Sequence, residues 1–175
     1  MDHRGFTLIE LMVALAILAT LSGIAYPSFQ QWRDRDALNQ DVMVLKGAVA
    51  NARSRSVQRG MYWGRVSAPT SAVSGDCTRL YYGVHVPAGA DGIDMVYFCD
   101  QDGDGDVDTS SPDEVHAWAT RALSDRVTVT GDTTIDYLWF NKGGSVFSGQ
   151  GSVYLEAGGH TRKITVSNSG RLRED

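Results

Sequence analysis

The chain has 175 residues, 42% of them hydrophobic, and a formal net charge of −5. That length holds one long helix and one globular domain, and the acidic balance gives no bulk-charge argument for a nucleic-acid binder. The acid is concentrated: Asp100 to Glu114 contains Asp100, Asp102, Asp104, Asp106, Asp108, Asp113 and Glu114 and no Lys or Arg, which leaves the remainder at about +2.

The first element is apolar. After Met1-Asp2-His3-Arg4-Gly5, the stretch Phe6 to Tyr26 carries a single charge, Glu10. At about 1.5 Å per residue it reaches ~30 Å, the thickness of a hydrocarbon core. A carboxylate at the bilayer centre costs at least ~2.5–3.5 kcal/mol. Glu10 is therefore expected to meet a partner inside the membrane. An ordinary secretory signal places its small-residue cleavage site after the apolar core. Here Gly5 comes before it. Cleavage after Gly5 would remove only the polar leader, expose Phe6 as the new terminus, and set Glu10 one helical turn from the Phe6 amine. Flanking charge does not settle orientation, because Arg33 and Arg35 alternate with Asp34 and Asp36 beyond the span.

A second helical stretch follows Pro27. Leu38, Val42, Leu45, Val49 and Ala52 share one face, and Asp41, Lys46, Asn51, Arg53 and Arg55 are assigned to the other. Gly60 is a natural stop. The period then changes. Strands are predicted near Tyr62–Ser67, Arg79–Val86, Ile93–Cys99, Arg126–Thr130, Ile135–Asn141, Ser152–Glu156 and Arg162–Val166. Ile135, Tyr137 and Trp139 alternate with Asp136, Leu138 and Phe140, which predicts one strongly buried face. Lys142–Ser145 and Ala157–His160 read as hairpin turns. The expected fold is α+β, with a long N-terminal helix packed on antiparallel β-sheet. It divides into a leader (1–5), a membrane-spanning helix (6–26), a helix continuing into the globular domain (27–60), and a β-rich domain (61–175) with an acidic loop (100–114).

Two motifs carry chemistry. Cys77 and Cys99 are an even pair, which in an exported domain reads as one disulfide. Closing that loop would stabilise by ~3 kcal/mol on the chain-entropy model. Two buried free thiols are the alternative. Asp100, Asp102, Asp104, Asp106 and Asp108 place a carboxylate at every second residue, and Gly105 falls where a calcium loop turns sharply. Asp100, Asp102 and Asp104 would ligate directly, Asp106 through its carbonyl and Asp108 through water. The twelfth position is Ser111 rather than a bidentate Glu. Ca²⁺ is thus the expected ion, with a merely solvated acidic loop as the alternative. Catalysis finds no support. His3, His85, His116 and His160 are scattered, Ser145 and Ser148 lack a nucleophile elbow, and the Gly-rich stretches lack a phosphate-loop Lys.

The segment Gly5-Phe6-Thr7-Leu8-Ile9-Glu10-Leu11-Met12-Val13 resembles the class III signal of type IV prepilins and type II secretion pseudopilins. The resemblance implies a prepilin peptidase that cuts after Gly5 and N-methylates Phe6, and a Glu10 that pairs with the N-terminal amine of a neighbouring subunit. Pro27 matches a position where pilin helices kink or melt. Ala52–Val57, Arg59-Gly60 and the terminal Ser169–Arg173 are similar to the minor-pilin group of general secretion pathway protein H, FimU and FimT. The implied role is a structural subunit that initiates or caps a pilus or pseudopilus, with other pilins and the inner-membrane assembly machinery as partners. The implied location is the bacterial inner membrane, with the globular domain periplasmic. Gly170-Arg171-Leu172-Arg173 also resembles the arginine motif by which FimT-type subunits contact double-stranded DNA. On an extended tail Arg171 and Arg173 project to one side, with Arg162 and Lys163 nearby; a solubilising strand end is the alternative.

Overall fold

The computed structural model describes residues 7–60, 66–67, 69, 75–101, 103 and 115–175. One helix, α1 (Leu8–Arg59, 52 residues), dominates it. Thr7 caps its start, and the Gly60 N–H closes its end on the Ser56 carbonyl at 2.8 Å. The helix runs through Pro27. A proline there cannot donate to the carbonyl four residues back, so the turn from Gly23 lacks one intrahelical bond.

Eleven short strands follow in the described residues. They are β1 (Val66–Ser67), β2 (Asp76–Cys77), β3 (Arg79–His85), β4 (Gly92–Asp100), β5 (Val115–Ala122), β6 (Thr128–Val129), β7 (Tyr137–Phe140), β8 (Val146–Ser148), β9 (Gly151–Ala157), β10 (His160–Val166) and β11 (Leu172–Glu174). They form a five-stranded sheet in the order β5-β4-β3-β7-β8, a four-stranded sheet in the order β11-β10-β9-β6, and the pair β1-β2. The pairings are antiparallel.

The second half of α1 supplies the core. Leu38, Val42, Leu45, Val49 and Ala52 are buried, as their spacing predicts, against Val84, Met95, Leu138, Leu155 and Ile164 from both large sheets. The predicted turn Ala157–His160 is a two-residue hairpin, with Gly158 and Gly159 at φ +56° and +78°. Such positive angles suit glycine and match the twist of paired strands.

Three expectations change. β7 is buried on both faces rather than one: Leu138 and Phe140 enter the helix-facing core, while Trp139 joins Val96 and Phe98 on the opposite face. β5 was not predicted, and its pairing with β4 carries one of the two irregularities of its sheet, the other lying between β7 and β8. Met95 pairs with Ala119 but Val96 with Ala117, so Trp118 is the extra residue of a bulge.

Asp41 is the third. It was assigned to the polar face of α1 but is only 4% exposed. Its Oδ2 accepts the Ser124 N–H at 2.8 Å, tying the β5–β6 loop to the helix. Burial pushes its carboxyl above the ordinary range, and the Ser124 bond pulls it only partly back. The folded chain therefore holds that proton more tightly than the unfolded chain. Asp41's contribution is most favourable below the ordinary carboxylate value and is lost as pH rises through the raised one. Asp41→Asn keeps an acceptor for Ser124 without the buried charge. It is expected to raise the melting temperature at pH 7, and the gain should vanish below about pH 4. Thermal melts across that range check this.

Candidate functional site

The described part of the helix start is a reciprocal cap. Glu10 Oε2 accepts from the Thr7 N–H and the Thr7 hydroxyl, each at 3.1 Å, and the Glu10 N–H donates to Thr7 Oγ1 at 3.3 Å. This capping box satisfies two helix-end donors. The Thr7-x-x-Glu10 spacing announces it, and the reading of Glu10 as a membrane charge passed it over. Gly5 and Phe6 lie outside the described residues. From Leu8 onward the apolar half of α1 is exposed, and it is long and apolar enough to cross a membrane.

The second region lies where β4 ends. Cys77 and Cys99 form the expected disulfide, and both are fully buried beside Leu80, Tyr82 and Tyr97. The bridge joins β2 to β4 and fixes the chain around Asp100. Thr78 donates to the Asp100 carbonyl from its N–H at 2.7 Å and its hydroxyl at 2.9 Å. The Asp100 side chain is 0% exposed. Its Oδ1 accepts the Gly103 N–H at 2.6 Å. Its Oδ2 has no hydrogen bond, and the Arg79 guanidinium across the ladder is 3.7 Å away. A buried carboxylate oxygen outside any hydrogen bond costs free energy, which the ion pair with Arg79 offsets in part. Asp102, Asp104, Asp106 and Asp108 lie outside the described residues. Among the described residues no group of three or more His, Cys, Asp or Glu is arranged to hold a metal ion.

The third region is the C-terminal edge. Residues Leu172–Glu174 are not a free tail but the edge strand β11, with Arg173 opposite Thr165. Arg171 precedes the strand and is held by its backbone, its N–H donating to Ser167 Oγ at 3.2 Å. Both arginines are exposed. Acids accompany the basic side chains: Arg173 pairs with Asp175 at 2.8 Å, and Lys46 with Glu174 at 2.8 Å. The Lys46 hydrogen bond holds the Glu174 carboxyl below its ordinary range. Beside this edge, Arg53, Val57, Gly170 and Leu172 line an open groove of about 430 Å³ between α1 and β11.

Sequence reading also missed a histidine setting. His85 lies between two carboxylates, Asp94 at 3.6 Å and Asp136 at 3.2 Å, and stacks on Tyr137 at 4.2 Å. Only β-strand register brings these residues together, since Asp94 is directly opposite His85 on β4.

A bare apolar helix half, continuous with a helix that forms the core of an antiparallel α+β domain, defines a pilin-like protein. The chain matches the prokaryotic N-terminal methylation motif over residues 1–26 and the family described as type II transport protein GspH over residues 41–170. It belongs to the GspH family. It is also similar to a fimbrial protein of Neisseria meningitidis serogroup B (strain ATCC BAA-335 / MC58), with 27% identity over 79 residues, 45% of this chain and 46% of that protein. A type IV major pilin protein PilE of Neisseria gonorrhoeae is 29% identical over 60 residues, 34% of this chain and 36% of that one. The chain thus spans less than half the length of these relatives. No solved structure matches it.

Proposed function

We propose that the chain is a minor pilin or pseudopilin, a structural subunit that initiates or caps a type IV pilus or a type II secretion pseudopilus. The observation that carries this is the 52-residue helix whose described side chains in the apolar first half are exposed while its second half forms the core of the domain. A bare helix of that kind is costly in water and needs lipid or other helices around it. Prepilin peptidase removes residues 1–5 and N-methylates Phe6. The helix then anchors the subunit in the bacterial inner membrane with the domain in the periplasm, until the assembly machinery moves it into a filament. The work is structural rather than enzymatic. Fractionation tests it: the tagged chain should co-purify with sheared pili or with pseudopili. A chain confined to the membrane in cells that make both filaments would contradict the reading.

The acidic loop adds a Ca²⁺ site in this reading. Its sequence spacing is that of an oxygen-ligand loop, and Asp100, its first ligand, is buried with one oxygen outside any hydrogen bond. Asp102, Asp104, Asp106 and Asp108 complete the sequence-based set. Millimolar Ca²⁺ should raise the melting temperature of the full chain in detergent by several degrees, on the order of 1–2 kcal/mol of linkage. Asp104→Asn with Asp108→Asn should abolish the shift. An equal shift in that variant, or none in the wild type, would remove the site.

A second function, binding double-stranded DNA for uptake, rests on the exposed Arg171 and Arg173 at the sheet edge, with Arg162 and Lys163 on the adjacent β10. Arg171→Ala with Arg173→Ala should then weaken DNA binding at low salt and reduce its salt slope by about two. Wild-type binding that is absent, or unchanged in the variant, would leave the structural role alone.

A further inference from the structure

The apolar run ends at Tyr26, and the domain begins to touch α1 only a turn later. Every described side chain from Leu8 to Phe29 is exposed, and Gln30 and Asp34 are the first that are partly covered. Arg126 covers them, its Nη1 donating to Asp34 Oδ1 at 2.8 Å and Gln30 Oε1 at 3.3 Å. From Tyr26 to Gln30 the helix rises about 6 Å. A headgroup layer is about 5–8 Å deep on each side of the hydrocarbon. The base of the domain therefore stands at headgroup level when the apolar half spans.

A cleft of about 380 Å³ opens there between α1 and residues Ser124–Arg126. Phe29, Trp32, Arg33, Asp36, Asp125 and Arg126 are among its lining residues. Phe29 and Trp32 are 54% and 60% exposed and stack at 5.9 Å. The Arg33 guanidinium lies 5.9 Å from the centre of the Phe29 ring. Large aromatics left in the open next to a span favour the boundary between acyl chains and headgroups. The cleft carries both signs, Arg33 and Arg126 with Asp36 and Asp125, although Arg126 is already paired with Asp34 and the Asp36 Oδ2 also accepts from Gln40. A cleft with both signs complements a headgroup that carries both a phosphate and an ammonium.

We propose that this cleft is a footing for zwitterionic phospholipid headgroups at the membrane surface. Phe29 and Trp32 rest at the top of the acyl chains. Arg33 donates to lipid phosphates, Arg126 stays on Asp34 and Gln30 and braces the cleft wall, and Asp36 and Asp125 accept from the ammonium. The footing fixes the depth and tilt at which the subunit waits before assembly. It rests on the membrane-anchored reading above and continues that surface past the span.

The test uses the full chain at low density in vesicles of phosphatidylethanolamine and phosphatidylcholine, with the lipids brominated at shallow or deep acyl positions. The wild-type spectrum minus that of Trp32→Phe isolates the Trp32 emission. Shallow bromines should quench it at least about twofold more than deep ones. The same preference should fall in Arg33→Ala with Asp36→Ala, and in vesicles of phosphatidylglycerol alone. Resistance to alkaline extraction reads the span separately. A chain that resists extraction while Trp32 stays open to aqueous acrylamide would overturn the footing alone. A chain that does not insert would overturn the anchor and the footing together. Equal quenching in phosphatidylglycerol would overturn the zwitterionic assignment. Shielding of Trp32 that appears only as protein density rises would assign the cleft to a second copy and overturn the lipid.

Discussion

Glu10→Gln should leave membrane insertion intact and cut incorporation into filaments by at least about tenfold. The two roles of Glu10 separate in this variant. As the third residue of the helix it accepts from Thr7, and a glutamine amide oxygen does that equally well. As a charge in an apolar span it needs a cation, and glutamine supplies none. Removing one member of a desolvated ion pair leaves the other uncompensated, at about 3–5 kcal/mol. The partner in the proposed filament is the N-terminal amine of a neighbouring subunit, which would be the stranded charge. Glu10→Ala removes both roles. Impaired alanine with normal glutamine would mean that Glu10 only caps its own helix, and the pairing would fall. Impairment of both, with insertion unchanged, is the expected outcome.

Gly83→Val should destabilise the domain by about 3 kcal/mol or more and lower its melting temperature by on the order of 10 °C. Gly83 lies at the centre of the five-stranded sheet, opposite Trp139 on β7. A Cβ there would stand 2.5 Å from the Leu138 carbonyl oxygen and 2.5 Å from Trp139 Cε3. The carbonyl belongs to the neighbouring backbone and cannot swing aside. The indole is only 1% exposed and wedged against Phe98. A branched side chain would therefore separate β3 from β7, and with them the register that carries Leu138 and Phe140 into the helix-facing core. Gly131→Ala is the control, since nothing lies within 4 Å of a Cβ there. It should be neutral or gain up to about 1 kcal/mol through the unfolded chain. Comparable losses in both variants would show that the sheet does not depend on the closeness of Gly83 to β7.

The long helix was legible because two signals agreed across it. An apolar run gave the span, and a spacing of three and four residues gave the core face from Leu38 to Ala52. Asp41 broke the pattern because its partner, the Ser124 N–H, comes from a loop far along the chain. The central strands β3, β4, β9 and β10 were readable from β-branched and aromatic runs between turns. β5 was not, because the bulge at Trp118 reverses its inside–outside alternation midway. β8 is three residues long in a Gly- and Ser-rich stretch, too short for a period to show. β7 misled in another way. Its alternating pattern suggested one buried face, yet Trp139 and Leu138 are both buried because α1 covers one side of the sheet and an aromatic cluster forms on the other.

At the sites, local chemistry was legible and neighbourhood was not. The cysteine pair could be named from export and an even count, and it is a disulfide. The acidic spacing singled out Asp100, but not that its side chain is fully buried beside that disulfide. The C-terminal arginines were visible as a motif, whereas their acid neighbours Glu174 and Asp175 matter only because an edge strand holds them alongside Lys46 and Arg173.

The most direct measurement is the intact mass of the chain recovered from the membrane and filament fractions of a cell with a prepilin peptidase. The account predicts a mass beginning at N-methylated Phe6 and lacking Met1–Gly5, with the Cys77–Cys99 bridge retained. A mass that still includes Met1–Gly5, in a chain recovered from assembled filaments, would contradict the processed filament subunit on which the proposed function stands.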